Sequence, residues 1–164
     1  MNGILKTDFR AAAGKTVFSQ TGQKIRLASK ISAGGEGEIF LTDSGMAAKI
    51  YYPQNLRKET VEKLKLMLSR KVDIPGVCWP KDLLLDQCSQ VIGYLMPKAE
   101  GKTLQHSVFS KPLLLQNFPD WKRSDLVTLA LSCLKRIKRL HIQGILLGDI
   151  NPLNFLVKGP EEVW

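Results

Sequence analysis

The sequence is poor in the residues that build metal centres and disulfide frameworks. Of its 164 residues, only three are cysteines and two are histidines. Cys78, Cys88 and Cys133 have neither the spacing of metal ligands nor that of a disulfide framework. An odd cysteine count suits a reducing compartment, and two histidines are too few for an ordinary zinc site. We therefore expect a cytoplasmic protein without a zinc site.

Long apolar stretches are also lacking. The uninterrupted apolar runs are only a few residues long, so no segment is predicted to span a membrane. Residues 1–18 contain no continuous apolar segment of the kind found in signal peptides. With 44% hydrophobic and 24% charged residues, the composition is that of a globular protein. A chain of this length forms one domain or two small lobes that share a cleft.

Aromatic residues are scarce as well, at 7%, which leaves no evident stacking platform for nucleic acid. The net charge of +9 comes from 24 lysines and arginines against 15 acidic residues. Much of the positive charge falls within residues 63–71 and 135–139, which we interpret as solvent-exposed helix faces. No nucleic-acid-binding motif accompanies this charge. Nucleic acid is therefore not the expected partner, and a basic nucleic-acid-binding domain is a distant alternative.

The most informative stretch lies near the end of the sequence. Gly144 is placed to end a helix in the left-handed conformation, and residues 145–147 then predict a short apolar strand. In the polar loop that follows, Asp149 and Asn154 are five residues apart, with Pro152 between them. Such a pair suits phosphoryl transfer, because a carboxylate accepts the hydroxyl proton and an amide oxygen holds a metal. A plain surface turn is the alternative, since Asp, Asn and Pro are common turn residues.

Short apolar segments separated by glycine turns predict three strands early in the chain, at residues 25–27, 38–41 and 46–51. The first turn contains Gly34, Gly35 and Gly37. Glycines at such a turn let backbone N–H groups approach phosphates, although a simple hairpin is the alternative. The third strand carries Lys49 between apolar neighbours. We favour a functional role for this lysine over the alternative of a charged residue on an edge strand.

The next segments extend this architecture. Residues 55–70 predict an amphipathic helix, in which Leu66 is expected to face the core. Residues 77–86 and 90–96 predict two further strands around a polar turn, which gives five in total. From Pro97 onward the pattern changes from strands to helices, which indicates a lobe boundary.

A long helix is predicted to precede the polar loop. Ser124 or Asp120 can cap its first turn, and the helix extends to about His141. The predicted buried stripe of this helix consists of Leu126, Ala130, Cys133, Leu134, Ile137 and Leu140. A shorter helix and a turn are expected between Pro112 and Trp121.

Taken in order, these features resemble those of protein kinases: a glycine-rich loop, a lysine on the next strand, a helix, a hinge, a long helix and a catalytic loop. The polar loop is similar to the kinase pattern H-R-D-L-x-x-x-N, with Asp149 at the aspartate and Asn154 at the asparagine. Leu147 and Gly148 replace the histidine and arginine, and Asn151 stands where serine/threonine kinases usually carry a lysine. The form G-D-I-N-P-x-N looks closest to bacterial protein-kinase-like proteins.

The glycine turn and the lysine strand also resemble kinase motifs. Gly34 and Gly37 match the second and third glycines of the kinase loop, whereas Ser32 replaces the first. Ile39 matches the valine of that loop, and Lys49 falls at the lysine of the kinase V-A-I-K strand.

The resemblance implies roles for these residues. Lys49 would contact the nucleotide phosphates, and Gly34, Gly35 and Gly37 would cover them. A glutamate on the helix after the lysine strand would pair with Lys49. Glu59 and Glu62 are the candidates, and we prefer Glu62 because Leu66, one turn later, would anchor it against the core.

The cofactors implied by the resemblance are ATP and Mg²⁺. Ile39, Ala47 and the gatekeeper Met96 would lie at the nucleotide, and backbone groups of Lys98 and Ala99 would face its adenine. In the catalytic loop, Asp149 would position the substrate hydroxyl and Asn154 would bind Mg²⁺.

The fold class implied is α+β, a protein-kinase-like fold with a five-stranded antiparallel N-lobe sheet and one helix, followed by the beginning of a helical C-lobe. The N-lobe would comprise residues 1–98, including an N-terminal extension at 1–24, and the partial C-lobe residues 99–164. The kinase D-F-G aspartate is expected about a dozen residues after Asn154, just beyond Trp164. We therefore expect an N-terminal portion of a kinase-like domain.

The expected activity of the complete domain is transfer of the ATP γ-phosphoryl group to a serine or threonine hydroxyl of a protein. The expected partners are the nucleotide and a protein substrate or regulatory partner, with an oligomer or a completing C-lobe segment as a further prospect. A pseudokinase or nucleotide-binding interaction module without transferase activity is the alternative.

Overall fold

The computed structural model describes residues 7–164, and residues 1–6 of the predicted N-terminal extension lie outside the described part. The backbone separates into two compact units. The first contains the described residues up to Val72 together with Cys78–Lys98, and the second contains Asp73–Val77 and Ala99–Trp164. Among the described residues, no helix combines the length and the apolar character needed to cross a membrane.

The first unit is built on a closed antiparallel barrel. Its described strands are β1 (Thr16–Ser19), β2 (Lys24–Ala33), β3 (Gly37–Thr42), β4 (Ala47–Tyr51), β5 (Asp82–Leu85) and β6 (Val91–Met96). They are ordered β1-β2-β3-β4-β6-β5 around the barrel, which closes where β1 pairs with β5. Each of these strands therefore has a hydrogen-bonded neighbour on both sides, so that none presents an open edge.

The predicted five-stranded sheet is wrong, because the barrel has a sixth strand. That strand is β1, which lies within residues 1–24, the predicted extension. Val17 and Ser19 of β1 are buried and alternate with partly exposed Thr16 and Phe18. Four residues that include two small hydroxyl side chains give too short an alternation to predict a strand from the sequence.

The barrel core comes from the inward-facing residues of its strands. In β2, the buried residues Ile25 and Leu27 alternate with exposed Lys24 and Arg26. The core cluster consists of Val17, Ile25, Leu27, Phe40, Ala48, Ile50, Leu84, Ile92 and Leu95. Each fully buried large aliphatic or aromatic side chain in such a cluster stabilises the fold by about 1.5–3 kcal/mol.

One helix, α1 (Lys58–Ser69), packs in the first unit through Val61 and Leu64. It falls within the predicted range 55–70. The indole Nε1–H of Trp79 donates to the carbonyl of Met67, over 2.9 Å, and so fastens the last turn of the helix. The prediction that Leu66 faces the core is wrong, since this side chain is 61% exposed.

The second unit contains β7 (Lys102–Thr103), α2 (Lys111–Asn117), α3 (Arg123–Ile142) and β8 (Leu156–Val157). Its core cluster is formed by Leu129, Val157 and Val163. Strand β8 pairs with β7, and Leu156 also exchanges two backbone hydrogen bonds with Trp164, at 3.0 and 2.9 Å. The segment after the polar loop is thus held from two sides.

Helix α3 differs from the prediction in its first turn. Ser124 and Asp120 do not cap it, because the extended residue Lys122 occupies the N-cap position. The backbone N–H of Lys122 donates to the carboxylate of Asp125 at 2.6 Å. A carboxylate in the first helical turn satisfies a donor there and interacts favourably with the helix dipole.

The buried face of α3 also differs from the predicted stripe. Leu129, Ser132 and Leu140 are its buried residues, whereas Ala130 and Leu134 are exposed. Leu and Ala residues occur all around this helix, so helical periodicity could not single out the buried face. An apolar row consisting of Val127, Leu131 and Leu134 remains 50–60% exposed.

Gly93 on β6 is required by the close approach of β4. A Cβ added at this position would overlap the carbonyl oxygen of Lys49. We expect Gly93→Ala to lower the free energy of unfolding by about 1–3 kcal/mol, since the backbones of two paired strands must separate. Gly35→Ala is the control, because an added Cβ there meets nothing within 4 Å. Urea denaturation measures both, and equal stability of the two variants would contradict the expected clash.

Candidate functional site

The glycine-rich loop connects β2 to β3 and is exposed at Gly34, Gly35 and Glu36. The N–H of Gly34 donates to the carbonyl of Gly37 at 2.9 Å, which closes the turn. A Cβ at Gly34 or Gly35 would meet nothing within 4 Å, so a ligand can approach the backbone there. Gly37 is different, because a Cβ at this position would overlap the carbonyl oxygen of Ile50 on β4.

Asn55 fastens the tip of this loop. Its side-chain Nδ2 donates to the carbonyls of Gly35 and Glu36, at 2.8 and 3.1 Å. The carbonyl of Glu36 also accepts the backbone N–H of Tyr52, at 2.9 Å. Three hydrogen bonds from the segment after β4 therefore set the position of an otherwise exposed loop.

Lys49 lies on β4, which pairs with β3 on one side and β6 on the other. The alternative of a charged residue on an edge strand is therefore wrong. The Nζ of Lys49 forms an ion pair with the carboxylate of Glu36. It also lies 5.0 Å from the centre of the Tyr51 ring, within the range of a cation–π contact.

The predicted pair between Lys49 and Glu62 is not formed, and Glu36 takes the place of Glu62. The Glu62 carboxylate lies 3.9 Å from Lys58, one turn earlier on α1, and both side chains are exposed. Glu62 shares its solvent-facing side of the helix with Leu66, which explains why the expected anchor fails. Glu59, the other candidate, lines a cavity together with Lys49.

This cavity has a volume of about 480 Å³, which is suitable for a small ligand. Three cationic side chains, Lys49, Arg57 and Lys63, line it together with the acidic Glu36 and Glu59. Its cationic side chains favour an anionic ligand.

Tyr51 and Tyr94 form the aromatic part of the cavity wall, with ring centres 6.2 Å apart. Burial raises the pKa of Tyr51 to about 12, and it also raises the pKa of Tyr94. Both phenols are therefore neutral at physiological pH and add no negative charge to the cavity.

The residues predicted to lie at the nucleotide base are on β3, β4 and β6 and in the segment that follows β6. Ala47 and Met96 are buried and directly opposed on β4 and β6. Ile39 is partly exposed and lies opposite Lys49. Lys98 is the last residue of the first unit, and Ala99 belongs to the second. Their roles at a nucleotide remain predictions.

In the second unit, Gly144 ends α3 with a φ of +70°, the conformation that the sequence predicted. The N–H of Ile145 donates back to the carbonyl of Leu140 at 3.0 Å, as in helix ends closed by glycine. The short strand predicted at 145–147 is not formed, and Leu146 is 82% exposed.

The polar loop brings Asp149, Asn151 and Asn154 together. The Nδ2 of Asn151 donates to Asp149 Oδ1 at 2.7 Å, and the Nδ2 of Asn154 donates to Asp149 Oδ2 at 2.9 Å. Asn154 Nδ2 also donates to the backbone carbonyl of Asp149, at 3.1 Å. These amide bonds, that of Asn151 first, lower the pKa of the Asp149 carboxyl. Asp149 is thus held as an ordered carboxylate.

The sequence patterns assign no function to Glu36, Asn55 or the Asn151 amide. Glu36 and Asn55 act through contacts between residues 13–20 positions apart, which no local pattern reveals. Asn151 differs, because its Oδ1 accepts the backbone N–H of Leu153 at 2.9 Å, a local interaction typical of Asn in turns, and that signal was available from the sequence. The same amide donates to Asp149 Oδ1.

Asn151→Ala tests the electrostatics of this loop. Removal of the Asn151 amide should raise the pKa of Asp149 towards its ordinary value of about 3.9, because one hydrogen bond to the carboxylate is lost. A ¹³C NMR titration of the Asp149 carboxyl measures this shift, with Gln143→Ala, an exposed residue near the end of α3, as control. An unchanged pKa in Asn151→Ala would show that the amide does not stabilise the carboxylate.

Two curated relatives carry the description protein kinase YegI. The Escherichia coli K12 protein is 28% identical over 148 residues, which cover 86% of this chain and 22% of that protein. The protein of E. coli O157:H7 is 27% identical over 149 residues, covering 87% of this chain and 23% of its own length. The chain thus spans less than a quarter of the length of these relatives.

A structural comparison adds the fold. The solved structure of vaccinia related kinase 3 matches with a TM-score of 0.56 and 17% sequence identity, over 96% of this chain and 54% of that one. No protein-family model matches the chain. The structural match shows a protein-kinase-like fold, and the chain is similar in sequence to relatives described as protein kinases.

Proposed function

We propose that this chain binds ATP at Lys49 and contributes to a domain that transfers the γ-phosphoryl group to a serine or threonine hydroxyl of a protein. The observation that carries the proposal is a cavity lined by cationic side chains beside an exposed glycine-rich loop. Lys49 lines this cavity and forms an ion pair with Glu36 of the loop. An anionic ligand gains charge-assisted hydrogen bonds from lysine and N–H donors from the loop.

The residues expected at the nucleotide each have a role in this proposal. Lys49 binds phosphate oxygens, and the exposed backbone of Gly34 and Gly35 covers them. Gly37 serves mainly to let β3 approach β4, as its close contact with Ile50 indicates. Ile39, Ala47 and Met96 provide the apolar contacts to the base, and backbone groups of Lys98 and Ala99 provide the polar ones.

In the second unit, Asp149 accepts the proton of the substrate hydroxyl and orients that hydroxyl. Its lowered pKa keeps it in the carboxylate form to a lower pH than an ordinary aspartate. A carboxylate with a low pKa is a weak base. Asp149 is therefore better suited to orienting the hydroxyl, and it accepts the proton only late in the reaction.

Asn154 is the proposed Mg²⁺ ligand. Its Nδ2 is used in two bonds to Asp149, so its Oδ1 is the atom suited to bind a cation. Among the described residues there is no group of three or more His, Cys, Asp and Glu side chains that could hold a metal. A single amide oxygen suits Mg²⁺, because this ion keeps several waters and needs few protein ligands. When bound, Mg²⁺ would neutralise charge on the phosphates.

The protein substrate and the transfer itself rest on the similarity to proteins described as protein kinases, of which this chain spans 22–23%.

The charge of the polar loop affects the expected transfer rate. With Asn151 in place of a lysine, one positive charge near the transferred group is missing, so we infer a lower transfer rate unless another cation supplies it.

The second candidate function is a nucleotide-binding interaction module without transferase activity. The observation that favours it is the exposed apolar row of Val127, Leu131 and Leu134 on α3. Apolar side chains grouped on one helix face are typical of surfaces that contact another polypeptide.

Nucleotide binding is tested by thermal denaturation with and without Mg-ATP. A ligand that binds only the folded chain should stabilise it by about 2.7 kcal/mol at a concentration of 100 times Kd. Lys49→Ala should lose most of this stabilisation, whereas Lys24→Ala, an exposed lysine on β2, should retain it. Equal protection of wild type and Lys49→Ala would contradict nucleotide binding at Lys49.

Transfer is tested with Asp149→Ala, because Asp149 does not line the cavity of the first unit. If the chain transfers radiolabelled phosphate from ATP to a protein, this substitution should reduce the rate by at least about 100-fold. Protection by Mg-ATP should persist in the same variant. Protection by Mg-ATP without any transfer in the wild-type chain would favour the interaction module.

A further inference from the structure

We propose that the Glu36 carboxylate competes with nucleotide phosphates for Lys49 and thereby sets the affinity of the site. This inference rests on the proposed binding of ATP at Lys49. Glu36 would be a specificity-determining residue, because it weakens every ligand that reaches Lys49 through an anionic group. A ligand without such a group would be unaffected.

The position of Glu36 is determined by the loop backbone. Its carbonyl accepts hydrogen bonds from the Tyr52 N–H and the Asn55 side chain, and the neighbouring carbonyl of Gly35 also accepts from Asn55. These bonds hold the loop tip beside β4, where the carboxylate meets Lys49 Nζ. Glu36 therefore has a high effective concentration near Lys49.

The energetics favour competition rather than a fixed structural bond. The Glu36 side chain is 69% exposed and that of Lys49 only 21%. An ion pair with one partner so exposed contributes little to stability, so an incoming polyanion can displace the carboxylate. The displaced carboxylate would still lie near the phosphates and repel them, which lowers the affinity further.

The neighbouring Glu38 provides a matched comparison. It lies two residues further along and pairs with Lys30 at 2.5 Å. It does not line the cavity that Lys49 shares with Glu36. Glu38→Gln removes the same charge from the same strand region without releasing Lys49.

The experiment measures dissociation constants of ATP and adenosine by titration calorimetry for wild type, Glu36→Gln and Glu38→Gln. Glu36→Gln should bind ATP about two- to fivefold more tightly, the range expected for loss of one partly exposed charge interaction. Its affinity for adenosine should be unchanged, and Glu38→Gln should behave as wild type with both ligands. Because Glu36 is exposed, Glu36→Gln is expected to fold, and circular dichroism verifies this.

A second comparison asks whether the effect is exerted through Lys49. In a Lys49→Ala background, Glu36→Gln should change the ATP affinity less than in wild type, since the competition has been removed. An equal gain in both backgrounds would overturn the proposal in favour of a general charge effect.

The other outcomes separate this inference from the proposed function. If wild type binds ATP and Glu36→Gln binds it equally or more weakly, competition by Glu36 is overturned while nucleotide binding stands. If neither wild type nor Glu36→Gln binds ATP or adenosine, the proposed function fails, and this inference fails with it. Binding by Glu36→Gln but not by wild type would support competition in its strongest form.

Discussion

The pairing of β4 with both β3 and β6 is the constraint on which the position of Lys49 depends. Strand β4 is an interior strand of a sheet that the β1–β5 pair closes into a barrel. A lysine on such a strand can bury its methylenes while its ammonium reaches the cavity. Lys49 is placed in this way, with its side chain mostly covered and its Nζ at Glu36. These two pairings fix the register of the lysine strand, and with it the position of the charge.

Two glycines connect the pairing of β4 to the position of the glycine-rich loop. Gly37 and Gly93 face the backbone of β4 on opposite sides, and a Cβ at either would overlap a carbonyl oxygen of that strand. The close packing sets where β3 starts, and hence where the loop before it ends. Gly34 and Gly35 have no such neighbours. Glycines of one motif thus serve two purposes, one of packing and one of access for a ligand.

Most of the secondary-structure elements could be predicted from the sequence, but few of the contacts between residues distant in the chain could be. Strands β3, β4 and β6 are apolar runs between turns, helix α1 is amphipathic, and all four lie close to their predicted bounds. Strand β1 is too short to show a period, and α3 is apolar on too many sides to reveal its buried face. The partner of Lys49 depends on one loop glutamate placed by one asparagine amide. Such single tertiary contacts leave no pattern in the sequence.

Both units use neutral amides to position a carboxylate-bearing residue. Asn55 holds the backbone of Glu36, and Asn151 with Asn154 holds the side chain of Asp149. An amide donor orients an acid without cancelling its charge, whereas a lysine or arginine in the same place would neutralise it. Amides also do not titrate, so these arrangements persist across the physiological pH range. The two retained charges have different consequences in the two proposals. That of Glu36 repels phosphate at Lys49, whereas that of Asp149 attracts the hydroxyl proton.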